Sequence, residues 1–238
     1  MALKPTAVAV KLLPWLALLA VLTAVLTYGR HWQVPDRHNP WAPLRIDEAP
    51  GWLTRHKLLR LDNAPAACLA TLEQATMRFT PVSNRDAGPG CGLDNAVRIE
   101  STSAQIGEPF TLSCRTAVSL ALWERHALQP AATRMLGSGI RRIEHYGSFA
   151  CRNVYGRADG RRSQHATADA FDVAGFVLDD GRRVTVAAHW RAGDERSAFL
   201  RLVHDQACGF FDGVLGPEYN AAHADHLHVD RGPYRVCR

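Results

Sequence analysis

Apolar residues fill nearly every position from Ala170 to Leu178, AFDVAGFVL. A run this short, rich in Val and Phe, reads as a buried strand. Asp179, Asp180 and Gly181 follow as a turn, and Arg183 to Ala188 reads as the hairpin partner. Elsewhere the apolar positions recur at helical spacing. Asn63 to Met77 predicts a first helix through Ala67, Leu69, Leu72 and Met77. Ser113 is placed to cap a second helix through Val118, Leu120, Leu122 and Trp123, and Pro130 kinks it or starts another running to Met135. Asp194 is placed to cap a helix through Ala198, Leu200, Leu202 and Val203 to Ala207. Ala96 to Ile99, Arg141 to Phe149 and His226 to Asp230 read as further strands, the last stopped by Gly232 and Pro233, and Arg85 to Gly92 reads as a loop. Helices first and an antiparallel sheet later predict an α+β domain with helices on one side of the sheet.

One stretch departs from both periods. Leu12 to Tyr28 carries no charge, and with Ala7 to Val10 it is long enough to cross a hydrocarbon core of about 30 Å. No small-residue cleavage site follows it before GRHWQVP. The expectation is one uncleaved transmembrane helix at the N-terminus, in residues 1–29. Lys4 and Lys11 stay inside, Arg30 and Arg37 pull the other way, and the rest is exported. Residues 30–39 read as a proline-containing stalk, and residues 40–238 as the folded domain. The expected location is the bacterial inner membrane, single-pass, with the domain in the periplasm.

The formal charge of +5 comes almost wholly from arginine, since Lys4, Lys11 and Lys57 are the only lysines. No nucleic-acid motif accompanies it, so nucleic acid is not an expected partner. The 6 cysteines are spread and form no C-x-x-C pair, which disfavours zinc ribbons and redox motifs. In an exported domain they predict at least two disulfides, with Cys68–Cys91 a candidate pair because both flank the first helix and its loop.

Candidate chemistry gathers in two places. HADHLHVDRG, from His223 to Gly232, holds three of the chain's 11 histidines. Alternation on a strand points His226 and His228 to one face, as metal ligands or as satisfied core histidines. In SQHATADAFD, His165 precedes Asp172, and a carboxylate entering an apolar strand is costly unless paired or bound to metal. His165, Asp172 and one of the two later histidines make a three-ligand set of the kind catalytic zinc uses, with water in the fourth position.

The pattern S-x-H-x6-D followed by D-H-x-H, Asp225 to His228, resembles zinc peptidases of the lysostaphin, D-Ala-D-Ala-peptidase and hedgehog-like superfamily. More closely, RIEHYGSFACRNV, SQHATADAFDVAGFVLDDGRRVTV and VLGPEYNAAHADHLHVDRG resemble the bacterial extensin-like C-terminal domain family, from about Pro40 to Cys237. The resemblance implies a hedgehog/D-Ala-D-Ala-peptidase-like fold and a Zn2+ ion held by His165, Asp172 and His228. It implies Asp225 as general base, His226 beside it, and Arg152 on the substrate side. Two departures stand out: Ala168 occupies a position usually held by glycine, and Asp225 is one methylene shorter than the usual glutamate. The implied activity is zinc-dependent peptidase or amidase action on peptidoglycan or another cell-wall polymer. The alternative is a membrane-anchored wall-binding module without turnover. His223 and the histidines at 126, 189 and 204 are expected at the surface, His145 and Tyr146 in structural packing, and Asp169 in loop chemistry.

Overall fold

The computed structural model describes the backbone of residues 7–28 and 34–238, and side chains of residues 14–27 and from 34 onward. Two compact units divide the chain, Met1–Ala42 and Pro43–Arg238. In the first, helix α1 covers Ala7–Tyr28 with Pro14 inside it. Among the described residues no helix is long and apolar enough to cross a membrane. That finding overturns the expected transmembrane helix and the single-pass inner-membrane location. The side chains of Lys4, Lys11 and Arg30, and the start of the stalk (30–33), lie outside the described residues.

The second unit is a mixed α+β fold. Helices α2 (Thr54–Leu61) and α3 (Pro65–Leu72) come first, and then strands β1 (Arg78–Val82), β2 (Arg85–Asp86), β3 (Gly92–Leu93), β4 (Ala96–Ser101), β5 (Gln105–Ile106) and β6 (Phe110–Ser113). Next come helices α4 (Cys114–Trp123) and α5 (Gln129–Leu136), strands β7 (Ile140–Gly147), β8 (Ala170–Leu178) and β9 (Arg183–Thr185), and helices α6 (Val186–His189) and α7 (Glu195–Ala207). Strands β10 (Gly213–Leu215), β11 (Leu227–Asp230) and β12 (Val236–Cys237) close the chain. The main sheet runs β12-β10-β11-β8-β7-β5, with β9 also on β8, and β1-β4-β6 form a small antiparallel sheet. Pairing is antiparallel except where β12 joins β10 and β5 joins β7.

The predicted elements appear with shifted ends. Asp194 caps α7 by accepting from the N–H groups of Arg196 and Ser197 at 3.0 and 3.1 Å. Pro130 has no N–H to donate back into the preceding turn, and residues Glu124–Leu128 adopt a wider π-type turn between α4 and α5. The first predicted helix is shorter, and Arg78–Val82 leaves it as a strand. The Arg85–Gly92 loop carries the two short paired strands β2 and β3. The hairpin partner of β8 ends at Thr185, where the chain turns into α6. Trp123, Phe171, Phe176, Phe199 and Phe211 are buried together in the core, with the Trp123 indole N–H donating to the Val203 carbonyl at 3.0 Å. His204, expected at the surface, is buried with its ring edge-on to Trp190.

Three disulfides join Cys68–Cys114, Cys91–Cys151 and Cys208–Cys237. The expected Cys68–Cys91 pair is therefore replaced. Cys68 on α3 faces α4 in the core, whereas Cys91 sits by the loop after β7. Peptide mapping without reduction is expected to recover these three linked pairs and no Cys68–Cys91 peptide.

Candidate metal centre and its cleft

Strand β8 sits between β7 and β11, and this arrangement builds the site. Asp172 lies directly opposite His228 across the β8–β11 ladder, so their side chains rise from the same face. Gly147 of β7 is the other neighbour of Asp172 and leaves that side open. His165 reaches the same point from the short 3-10 turn Gln164–Thr167. That turn ends at Ala168 with φ 56°, the left-handed region that glycine enters freely and alanine enters under strain.

The three side chains converge in a buried cluster. His165 Nε2 lies 3.2 Å from His228 Nδ1 and 3.2 Å from Asp172 Oδ2. His228 Nδ1 lies 2.9 Å from Asp172 Oδ1. The outer nitrogens fix the tautomers. His165 Nδ1 is 2.5 Å from the Ser148 carbonyl, which can only accept, so Nδ1 carries the proton. His228 Nε2 donates to Asp230 Oδ2 at 3.0 Å. Both inward nitrogens lie within hydrogen-bonding distance of the one carboxylate, and would turn lone pairs to a cation bound between them. One ligand atom from each residue can be chosen so that all lie within 4.8 Å of one another. Imidazole and carboxylate donors with carbonyl and carboxylate partners behind them suit a borderline divalent cation. Burial opposes charge on Asp172, but the hydrogen bonds from His165 and His228 outweigh it and hold the carboxyl well below its usual range. Burial likewise opposes charge on His228, and its bonds to Asp172 and Asp230 push it up to about 9.

His226, 12% exposed at its side chain, looks onto the cluster from one side, with Nε2 3.7 Å from Asp172 Oδ1. Its Nδ1–H donates to Asp225 Oδ1 at 2.9 Å. Asp225 is half exposed and also accepts from the Tyr146 hydroxyl at 3.3 Å. Its carboxyl is lowered chiefly by the His226 hydrogen bond. The geometry thus joins Asp225 to the cluster through His226 rather than directly. Arg152 is exposed and lines the mouth of the cleft that opens over the cluster, a cavity of about 210 Å³.

Four residues of the site escaped sequence reasoning. His223, expected in solvent, is buried in the cleft wall and hydrogen-bonds Asn220 Oδ1 at 2.8 Å. Burial and the neighbouring His228 and His226 lower it to about 4. Tyr146, expected as packing, is exposed and edge-on to the His226 ring. Asp230 holds His228 and accepts from the Gly232 N–H at 2.7 Å; a β-carbon on Gly213 would collide with that carboxylate. Asp169, expected in loop chemistry, is buried and accepts from Ser113 Oγ at 2.5 Å and Arg115 Nε at 2.8 Å. It ties the ligand loop to the start of α4. The usable signal was the alternation His226-x-His228-x-Asp230, which puts Asp230 on the same face.

No curated protein and no solved structure matches the chain. The family model described as extensin-like protein C-terminus matches residues 66–238. That span holds His165, Asp172, Asp225, His226 and His228, and the chain belongs to the extensin-like protein C-terminus family.

Proposed function

We propose that this chain is a zinc-dependent peptidase or amidase acting on peptidoglycan peptides, or on a related cell-wall polymer, and akin to the hedgehog/D-Ala-D-Ala-peptidase group. The observation that carries the reading is the spacing of the three donors. Corners of a tetrahedron around zinc, with bonds of about 2.0–2.1 Å, lie about 3.3 Å apart. The two separations from His165 Nε2 are both 3.2 Å, and His228 Nδ1 lies 2.9 Å from Asp172 Oδ1.

His165, Asp172 and His228 would hold the ion. Bound zinc supplies polarisation of the scissile carbonyl and a water acidic enough to attack near pH 7. The chain's own groups supply the rest. His226, with Nδ1–H committed to Asp225, presents the Nε2 lone pair to the cleft. It takes the proton from the attacking water, and the Asp225 carboxylate stabilises the imidazolium that results. The same Nε2–H then protonates the leaving amine. Arg152 binds a substrate carboxylate at the mouth. Tyr146 fixes the second oxygen of Asp225.

A wall-binding module without turnover is the second reading. The half-exposed position of Asp225, joined to the cluster only through His226, favours it, because no carboxylate then reaches the attacking water directly. Digestion of purified wall peptides by zinc-loaded protein separates the two. New amine termini are expected, and their rate of appearance should fall by about 10²–10⁴ in Asp225→Ala. Binding of wall fragments with no new termini supports the module instead. Asp230→Ala tests the support behind His228. Its zinc affinity is expected to fall about 10–100-fold, the effect typical of an outer partner, as read by competition with a chromophoric chelator.

A further inference from the structure

The mouth of the cleft carries rings and guanidinium groups that the scheme above leaves idle. Tyr155 and Tyr219 both line it and are 47% and 42% exposed. Tyr155 has φ 58°, a left-handed conformation that is unfavourable for a bulky residue and persists only where its surroundings hold it. Those surroundings form a flap over residues 152–162. Asn153 pairs with Arg162, the Val154 N–H donates to the Arg161 carbonyl at 3.0 Å, and the Ser163 N–H donates to the Arg152 carbonyl at 3.1 Å. The Cys91–Cys151 disulfide and the Arg162 bond to the Pro89 carbonyl at 2.9 Å fasten its base. Across the cleft, Asn220 Nδ2 donates to the Tyr155 hydroxyl at 2.8 Å, next to Tyr219.

The rings are accompanied by cations. The Arg157 guanidinium lies 5.7 Å from the Tyr155 ring centre, and that of Arg161 lies 5.3 Å from the Tyr234 ring centre. Tyr234 is 65% exposed. Over residues 152–162 four arginines face one carboxylate, Asp159. Exposed tyrosine rings can cover the apolar face of a sugar ring, and the hydroxyl–amide pair of Tyr155 and Asn220 can bond its hydroxyl and acetamido groups. Guanidinium groups take carboxylates in bidentate fashion. A glycan with a carboxylate on some of its rings offers both partners, an apolar ring face for the tyrosines and a carboxylate for the guanidinium groups.

We propose that Tyr155 and Tyr219, with Arg157 and Arg161, form a subsite for an anionic, N-acetylated glycan at the mouth of the histidine cleft. The inference rests on the hydrolase reading above, since this glycan is the one to which the cleaved peptide is attached. It assigns specificity to the flap and leaves bond breaking to the buried cluster.

The test measures binding without turnover. Full-length, metal-free protein is titrated calorimetrically with peptide-free glycan chains bearing muramic acid. Neutral chitin oligomers and a single-stranded oligonucleotide serve as comparison probes. The muramic glycan is expected to bind best, with affinity falling as salt rises. Tyr155→Ala and Tyr219→Ala should each weaken it about tenfold, while Tyr155→Phe, which keeps the ring, retains most of the binding. Thermal unfolding of each variant identifies any loss that comes from misfolding, and Tyr155→Phe against Tyr155→Ala at equal stability decides the matter. Equal binding by wild type and both alanine variants, no binding of the glycan, or preference for the oligonucleotide overturns the proposal. Glycan binding that depends on the two tyrosines, in a protein that cleaves nothing, would sink the hydrolase reading alone.

Discussion

Asp172→Ala is expected to lose stoichiometric zinc and all turnover while the helices and sheet remain. Asp172 is the only acid in the cluster of three, and the inward nitrogens of both histidines lie within 3.2 Å of its oxygens. Without it, two neutral imidazoles hold the ion with no compensating charge. His165→Ala and His228→Ala should behave alike, each leaving two donors. Asp225→Ala removes no donor, so it should keep most of the metal. Its turnover should fall by about 10²–10⁴, the usual worth of positioned proton transfer. Metal content of the purified variants, set beside peptide hydrolysis, reads both effects. If His165→Ala and His228→Ala each keep one tightly bound zinc, the assigned centre is wrong and the binding-module reading gains.

A second large effect lies away from the cleft, in the π-type turn between α4 and α5. Glu124 is 1% exposed there. One of its oxygens accepts from the Ser103 N–H at 3.1 Å and from the Ser103 hydroxyl, and the other is buried without a hydrogen-bond partner. Burial pushes the carboxyl up from 4.5 to about 7, against the pull of the Ser103 bonds. Between those values the folded chain keeps a proton that the unfolded chain has released. The contribution is therefore intact below pH 4.5 and is lost progressively as pH rises to about 7. Two and a half units correspond to about 3 kcal/mol. Glu124→Gln cannot ionise, so it should unfold at higher denaturant than wild type at pH 8, by up to that amount, and differ little at pH 4.5. Guanidinium titrations at the two pH values test it. An unchanged difference between variant and wild type at both would mean the carboxyl is not the source.

What the chain made legible was local. The apolar run Ala170–Leu178, the Asp194 cap and the proline at 130 each have a cause within a few residues, and each appears in the fold. His165, Asp172 and His228 were legible because a costly carboxylate in an apolar strand and alternating histidines both ask for a partner. That the cysteines form disulfides was legible, but their pairing was not. Cys68 and Cys114 meet only because α3 packs on α4, a tertiary fact with no trace in spacing. His223 and Asp169 were misread for the same reason. Each sits in a polar loop by sequence, and each is buried by elements distant in the chain. The N-terminal run shows the opposite failure, since hydropathy alone predicted a span and among the described residues no helix is long and apolar enough to cross a membrane.

The cross-strand pair Asp172–His228 has one more consequence. Successive residues of β11 alternate between cleft and core, so sliding that strand by a single position would put Leu227 or Val229 where His228 stands. A chain that closed its sheet in the wrong alignment would present a leucine or valine to the ion and could not retain it. On the zinc reading proposed above, metal capture would act as an assembly checkpoint, drawing the population toward correctly aligned molecules and leaving misassembled ones without the added stabilisation.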